Sequence, residues 1–124
     1  NYKKALEEFS KIENYNEKFF NIGNVLYREN KFDEAIKNFS KVTSSELKQK
    51  ALYNIGNSYV QLNKLRKAVK FYQEALKFGE NPKIRENLEW VKNKLRKEEE
   101  KKQQQKNQQN QNGQKQNDHQ NQNG

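Results

Sequence analysis

Apolar positions in the first hundred or so residues recur three and four apart, the period of a helix face rather than of a strand. The pattern predicts six helices, over 2–14, 16–29, 32–43, 46–62, 65–78 and 82–98. Asn30 and Asn63 stand where a helix must stop on a left-handed residue, a conformation that asparagine tolerates. Asn81 followed by Pro82 reads as an N-cap and a first helical residue. From Gln103 onward no apolar side chain remains, and such a segment buries too little surface to offset its ordering entropy. "RKEEEKKQQQK" is expected to prolong the last helix by a few turns, and 99–124 is read as a disordered Gln/Asn/Lys-rich tail.

The tetrapeptide "NIGN" occurs twice, with 33 residues from Gly23 to Gly56. A glycine inside a helical segment costs about 1 kcal/mol against alanine, so two at one fixed interval point to a packing requirement. Residues 19–48 align with 52–81: Phe19 on Leu52, Ile22 on Ile55, Leu26 on Tyr59, Asn30 on Asn63, Ala35 on Ala68 and Phe39 on Tyr72. "YKKALEEFSKI" aligns with "FDEAIKNFSKV", and "PKIRENLEWVKNKL" repeats the first helix of a unit with Glu89 in the place of glycine. The expected organisation is a domain over 1–98, made of a half repeat 1–15, repeats 16–48 and 49–81, and a capping helix 82–98. Within each hairpin the glycine and the alanine are expected to meet, small against small, so that the axes approach closely. The chain then opens on the second helix of a unit whose first helix is missing. It also lacks methionine, which agrees with a processed or excised piece of a longer parent.

On Phe19, Ile22, Gly23, Leu26, Ala35 and Phe39, and again on Leu52, Ile55, Gly56, Tyr59, Ala68, Tyr72 and Pro82, the chain resembles the tetratricopeptide repeat family. The resemblance implies an all-α solenoid of stacked antiparallel hairpins with a C-terminal capping helix. It also implies a scaffold whose concave side, lined by the first helices, binds peptide segments of other proteins. By register that groove takes Glu17, Phe20, Asn21, Asn24, Tyr27 and Arg28 from one unit, and Lys50, Tyr53, Asn54, Asn57, Val60 and Gln61 from the next. The last helix adds Lys83, Glu86, Asn87, Trp90, Asn93 and Lys94. Asn21, Asn54 and Asn87 recur at 33-residue intervals, and Asn24 and Asn57 form a second series. Two readings stand for them: a ladder of donors and acceptors for an extended peptide, or bonds between neighbouring repeats that fix the stacking angle. Some family members clamp a C-terminal carboxylate. Asn24, Asn54 and Lys83 match three of its places, while Phe20 and Asn87 stand where two cationic members belong. The paired units, single amphipathic helix and glutamine-rich tail are also similar to the repeat regions of bacterial Bat-type aerotolerance proteins. That likeness implies a cell-envelope setting.

The formal net charge is +9, all of it on residues 1–97 because the four lysines of residues 98–124 balance their four acids. Such a surface favours acidic partners, so a mildly acidic peptide is expected in the groove. A second expectation is a basic surface for nucleic acid or anionic lipid, and a third is self-association through the N-terminal helix. Nucleic acid ranks below a peptide because the lysines alternate with glutamates, as on a solubilising face. Without cysteine, disulfide and thiolate chemistry are excluded. No run is apolar enough for a membrane span. No catalytic constellation, metal site or cofactor is expected: the single histidine, His119, lies in the polar tail, and no glycine loop fits a phosphate. Trp90, the only tryptophan, is either a wall of the groove or a partly buried lid residue.

Overall fold

Asn30 and Asn63 have φ of 62° and 56°, as the sequence requires at the two hairpin turns. Each ends its helix in the same way. The Lys31 N–H donates to Leu26 O at 2.9 Å and the Asn30 N–H to Tyr27 O at 3.0 Å; Lys64 and Asn63 repeat the pair on Tyr59 and Val60. This double bond to the last carbonyls is what a left-handed residue allows after a helix. The computed structural model describes residues 1–123, with side chains through residue 115, and His119 therefore lies outside the described side chains. The elements are α1 (Tyr2–Arg28), α2 (Phe32–Phe39), α3 (Ser45–Gln61), α4 (Leu65–Leu76) and α5 (Pro82–Asn123). The fold is all-α, as expected, and Asn81 caps α5 by accepting from the Lys83 N–H at 3.0 Å and the Ile84 N–H at 3.3 Å.

Five helices stand where six were expected, because the first two are one. The reason is linker length. Between the second helix of one unit and the first of the next, the interval from Val42 to Leu52 is ten residues; from Ile12 to Phe19 it is seven. Seven residues are two turns of continuous helix and leave no room for a reversal. Nothing between Ile12 and Phe19 breaks a helix either, since the stretch holds no glycine or proline. Residues 2–15 thus extend α1 at its amino end instead of forming a separate helix.

The chain divides into two units, residues 1–92 and the part from Asn93 onward. In the first, α1 with α2 and α3 with α4 form the two hairpins, and α2 packs on α3. Its core contains Ala35, Phe39, Val42, Ala51 and Ile55, with Phe19, Phe20, Leu26 and Tyr59 partly buried around it. Ile84, Leu88 and Val91 of α5 are buried as well. Gly23 and Gly56 are buried, and what comes closest to each is a ring rather than the alanine. A Cβ at Gly23 would lie 2.6 Å from the Phe39 ring, and one at Gly56 would lie 2.5 Å from the Tyr72 ring. The hairpins therefore seat a ring on a glycine, a closer fit than small against small, and any side chain there displaces the ring.

In the second unit the helix continues to Asn123, where the sequence reading leaves 99–124 without structure. Glutamate, lysine and glutamine are good helix formers, and no proline follows Pro82. Pairs one turn apart support it: Arg96 Nε lies 3.9 Å from Glu100 Oε1, and Gln103 Nε2 donates to Asn107 Oδ1 at 3.4 Å. Among the described residues, no helix is long and apolar enough to cross a membrane.

Candidate functional site

The first helices α1 and α3 and the start of α5 each bring one face to a common side of the first unit. Two asparagine pairs lie on that side. Asn54 Nδ2 donates to Asn24 Oδ1 at 3.2 Å, and Asn87 Nδ2 lies 3.4 Å from Asn57 Oδ1. Each bond joins the second asparagine of one unit to the first asparagine of the next, 30 residues on. The 33-residue series read from the sequence is therefore not the one that forms contacts. Asn21 is exposed and belongs to neither pair, whereas Asn24, Asn54, Asn57 and Asn87 are half-buried. Of the two roles open to these amides, bonding between repeats is the one the geometry displays.

The second pair is tied further into the core. Asn87 Nδ2 also donates to the Tyr53 hydroxyl at 2.8 Å, and the Tyr72 hydroxyl donates to Asn57 Oδ1. Burial, followed by the neighbouring Tyr53 phenol, pushes the Tyr72 hydroxyl well above the ordinary tyrosine range, against an opposing contribution from the Asn87 amide. Tyr53 packs on the Tyr72 ring with centroids 5.8 Å apart, and Phe20 on the Phe39 ring at 5.9 Å. Two of the expected groove aromatics, Phe20 and Tyr53, thus flank the ring that sits on the glycine, and each is half-buried.

Two hollows open on this side. One, of about 310 Å³, is lined by Phe20, Gln49, Lys50, Tyr53, Asn54, Asn81, Lys83 and Ile84. The Lys83 ammonium there lies 6.0 Å from the centroid of the Tyr53 ring. The other, of about 300 Å³, is lined by Tyr27, Asn57, Val60, Gln61, Tyr72, Asn87, Trp90 and Val91. Eleven of the expected groove residues border one hollow or the other; Glu17, Asn21, Asn24, Arg28, Glu86, Asn93 and Lys94 do not. Trp90 is 54% exposed and lines the second hollow. Among the described residues, no cluster of metal-ligating side chains occurs.

Two further residues escape a reading of the sequence. Asn16 is fully buried: its Oδ1 accepts from the Thr43 N–H at 2.6 Å and the Ser44 N–H at 3.1 Å, and its Nδ2 donates to Ile12 O at 2.9 Å. Gln49, 33 positions on, donates through Nε2 to Ala75 O at 3.2 Å and Gly79 O at 2.7 Å. Each first helix thus fastens the chain leaving its own second helix. The shared 33-residue spacing is the signal that finds them, once amides of different length are allowed to align.

Residues 19–48 and residues 50–82 each match a model of the tetratricopeptide repeat, and together the matches span just over half of the chain. Among solved structures, the chain is similar to the N-terminal domain of stress-induced protein-1 (STI-1) from C. elegans. The TM-score is 0.56 at 26% identity, over 73% of this chain and 76% of that one. No curated protein matches, and nothing in these comparisons supports the narrower likeness to Bat-type proteins. The repeat of the ring-on-glycine hairpin in sequence and in space agrees with both matches: the chain belongs to the tetratricopeptide repeat family, whose repeats serve as scaffolds that bind other proteins or peptides.

Proposed function

We propose that the side formed by α1, α3 and the start of α5 binds an extended, acidic peptide segment of a partner protein. The observation that carries this reading is the pair of hollows, each walled by two or more consecutive repeats, one edged by Asn54 and the other by the Asn57–Asn87 pair. The bonds between repeats use the carbonyls of Asn24 and Asn57 and the amide nitrogens of Asn54 and Asn87. Each pair keeps N–H groups on one member and a carbonyl on the other, the two kinds of group that an extended backbone needs. The amides are held in place before the ligand arrives, which lowers the ordering cost of binding.

Charge sets the polarity of the peptide. Lys50 and Lys83 edge one hollow, while no acidic side chain lines either hollow. A carboxylate, whether a chain terminus or an Asp or Glu side chain, fits between those ammonium groups, and the aromatic hollow beside Trp90 takes an apolar side chain. The match of Asn24, Asn54 and Lys83 to a carboxylate clamp supports the same end of the site. Lys50 is the second cation, in place of those that Phe20 and Asn87 do not supply.

The test titrates the 124-residue chain with an acidic hexapeptide carrying a free carboxyl terminus, and with its amidated, charge-free counterpart. Trp90 fluorescence and amide shifts are followed. The expected result is perturbation of Tyr53, Asn54, Asn57 and Trp90 by the acidic peptide, weakened at least about tenfold by Lys83→Glu. Shifts confined to α2 and α4 overturn the assignment. Equal response to any polyanion, falling steeply with salt, favours the basic-surface reading instead.

A further inference from the structure

The extension of α1 carries an apolar face with nothing on it. Among the described residues, eight large apolar side chains are about half exposed or more, and five of them, Tyr2, Leu6, Phe9, Ile12 and Tyr15, lie on α1 before Asn16. Tyr2 is 81% exposed, Phe9 61% and Ile12 55%. Tyr2, Ala5, Phe9 and Ile12 are spaced three and four apart, and the same steps lead through Asn16 and Phe19 to Gly23. They therefore continue the face that holds α2 lower on the helix. A face of this kind, larger than scattered single apolar residues, marks an interaction site.

We infer that this face pairs with the same face of a second copy, with the two α1 helices antiparallel. Fit argues for the occupant. Ala5 leaves a one-side-chain gap in the stripe. An antiparallel copy seats Phe9 over the partner's Ala5 and Tyr2 against the partner's Ile12, twice over by symmetry. That repeats the ring-over-small-residue fit by which Phe39 packs on Gly23. The same fit sets the direction: parallel packing in register stacks Phe9 on Phe9 and Ala5 on Ala5 and leaves the gap at Ala5 unfilled. Area sets the strength. Covering Tyr2, Leu6, Phe9 and Ile12 on both copies removes roughly 1,000 Å² from water, the lower bound of a specific interface, so the dimer is weak and concentration-dependent. The face is separate from the two hollows, and the inference does not rest on the peptide-binding reading.

Sedimentation velocity on the 124-residue chain, from about 10 µM to about 1 mM, tests it. The expected result is a monomer–dimer equilibrium within that range. Phe9→Glu raises the dissociation constant at least about tenfold with unchanged helicity, because Phe9 is largely exposed within one copy. Val25→Glu, at an exposed apolar residue elsewhere on α1, leaves it unchanged. The chain has no cysteine, so register is read by introduced ones: Ala5→Cys and Phe9→Cys chains cross-link when mixed, and neither does so alone. A monomer at every concentration overturns the inference. So does a dimer indifferent to Phe9→Glu, or cross-linking of the Ala5→Cys chain with itself, which is the mark of parallel helices.

Discussion

Residues 2–12 and residues 32–42 carry the same pattern and meet opposite fates. Tyr2, Ala5, Phe9 and Ile12 align with Phe32, Ala35, Phe39 and Val42, yet Phe39 is 1% exposed and Phe9 61%. The side chains do not decide this. The chain on either side does: α2 is preceded by a turn at Asn30 that folds it back on α1, whereas 2–12 run straight into α1 through a linker three residues too short to reverse. An apolar stripe specifies that a face will be covered. Only the connections specify by what.

The comparison breaks most visibly at its two rings. Phe39→Ala opens a cavity above Gly23 and is expected to cost about 3–5 kcal/mol, measured by denaturant unfolding. Phe9→Ala, at concentrations where the chain is monomeric, is expected within about 0.5 kcal/mol. A comparable loss at both positions would mean that 2–12 pack on the repeats after all.

A smaller effect is expected at the fasteners. Asn16→Ala strips the partners from the Thr43 and Ser44 N–H groups at a fully buried site, and is expected to cost about 2–3 kcal/mol. Gln49→Ala is expected to cost about 1 kcal/mol, because Gly79 O is exposed and Ala75 O keeps the Phe78 N–H. Thermal unfolding of the two variants ranks them, and the reverse order would undo the role given to Asn16 at the point where α1 passes from its bare part to its covered part.

These residues show what the sequence carried and what it did not. Repeat period, turn asparagines and the N-cap at Asn81 were legible because each rests on local chemistry: a backbone angle, an orphan N–H, a helix face. The fused α1 was also written in the sequence, as a seven-residue interval against a ten-residue one, but aligning the apolar positions hides a deletion in a linker. Which asparagines pair was not legible, for a different reason. A 33-residue series names equivalent positions, and equivalent positions on neighbouring helices need not touch; contact joins residues 30 apart because adjacent helices are offset along their axes. The ring over each glycine is a tertiary fact, since alanine and ring lie four residues apart on one helix face and either could have covered it.

Restoring the missing residues sharpens the comparison directly. Inserting Thr-Ser-Ser after Ile12 gives the first linker the length of the second. The expected outcome is a break in α1 near residue 13, new hydrogen-exchange protection opposite Phe9, and a stability change on the order of 1–2 kcal/mol as the stripe becomes buried. An α1 that stays continuous would show that helix propensity, not linker length, keeps 2–12 extended.

The smallest effect comes from a phenol, and it reads burial at one position of the pattern. Tyr72 aligns with Phe39 and Phe9, is 1% exposed, and donates to Asn57. Because burial raises its folded pKa above the ordinary value of about 10, the folded chain holds this proton where the unfolded chain releases it. Below about pH 10 the phenol is neutral in both states and its contribution is fully present; above that the unfolded state ionises first, and stability falls as pH rises toward the folded pKa. Tyr72→Phe is expected to cost about 1 kcal/mol at neutral pH through the lost hydrogen bond, and to flatten the alkaline decline. Phe9→Tyr, which puts the same phenol at the exposed counterpart, is expected to add a group that ionises in the ordinary range. Absorbance titration at alkaline pH separates the two. If the phenol of the Phe9→Tyr chain titrates as late as Tyr72, the amino-terminal stripe is covered in solution; if it titrates early at low concentration and late at high concentration, what covers it is another copy of the chain.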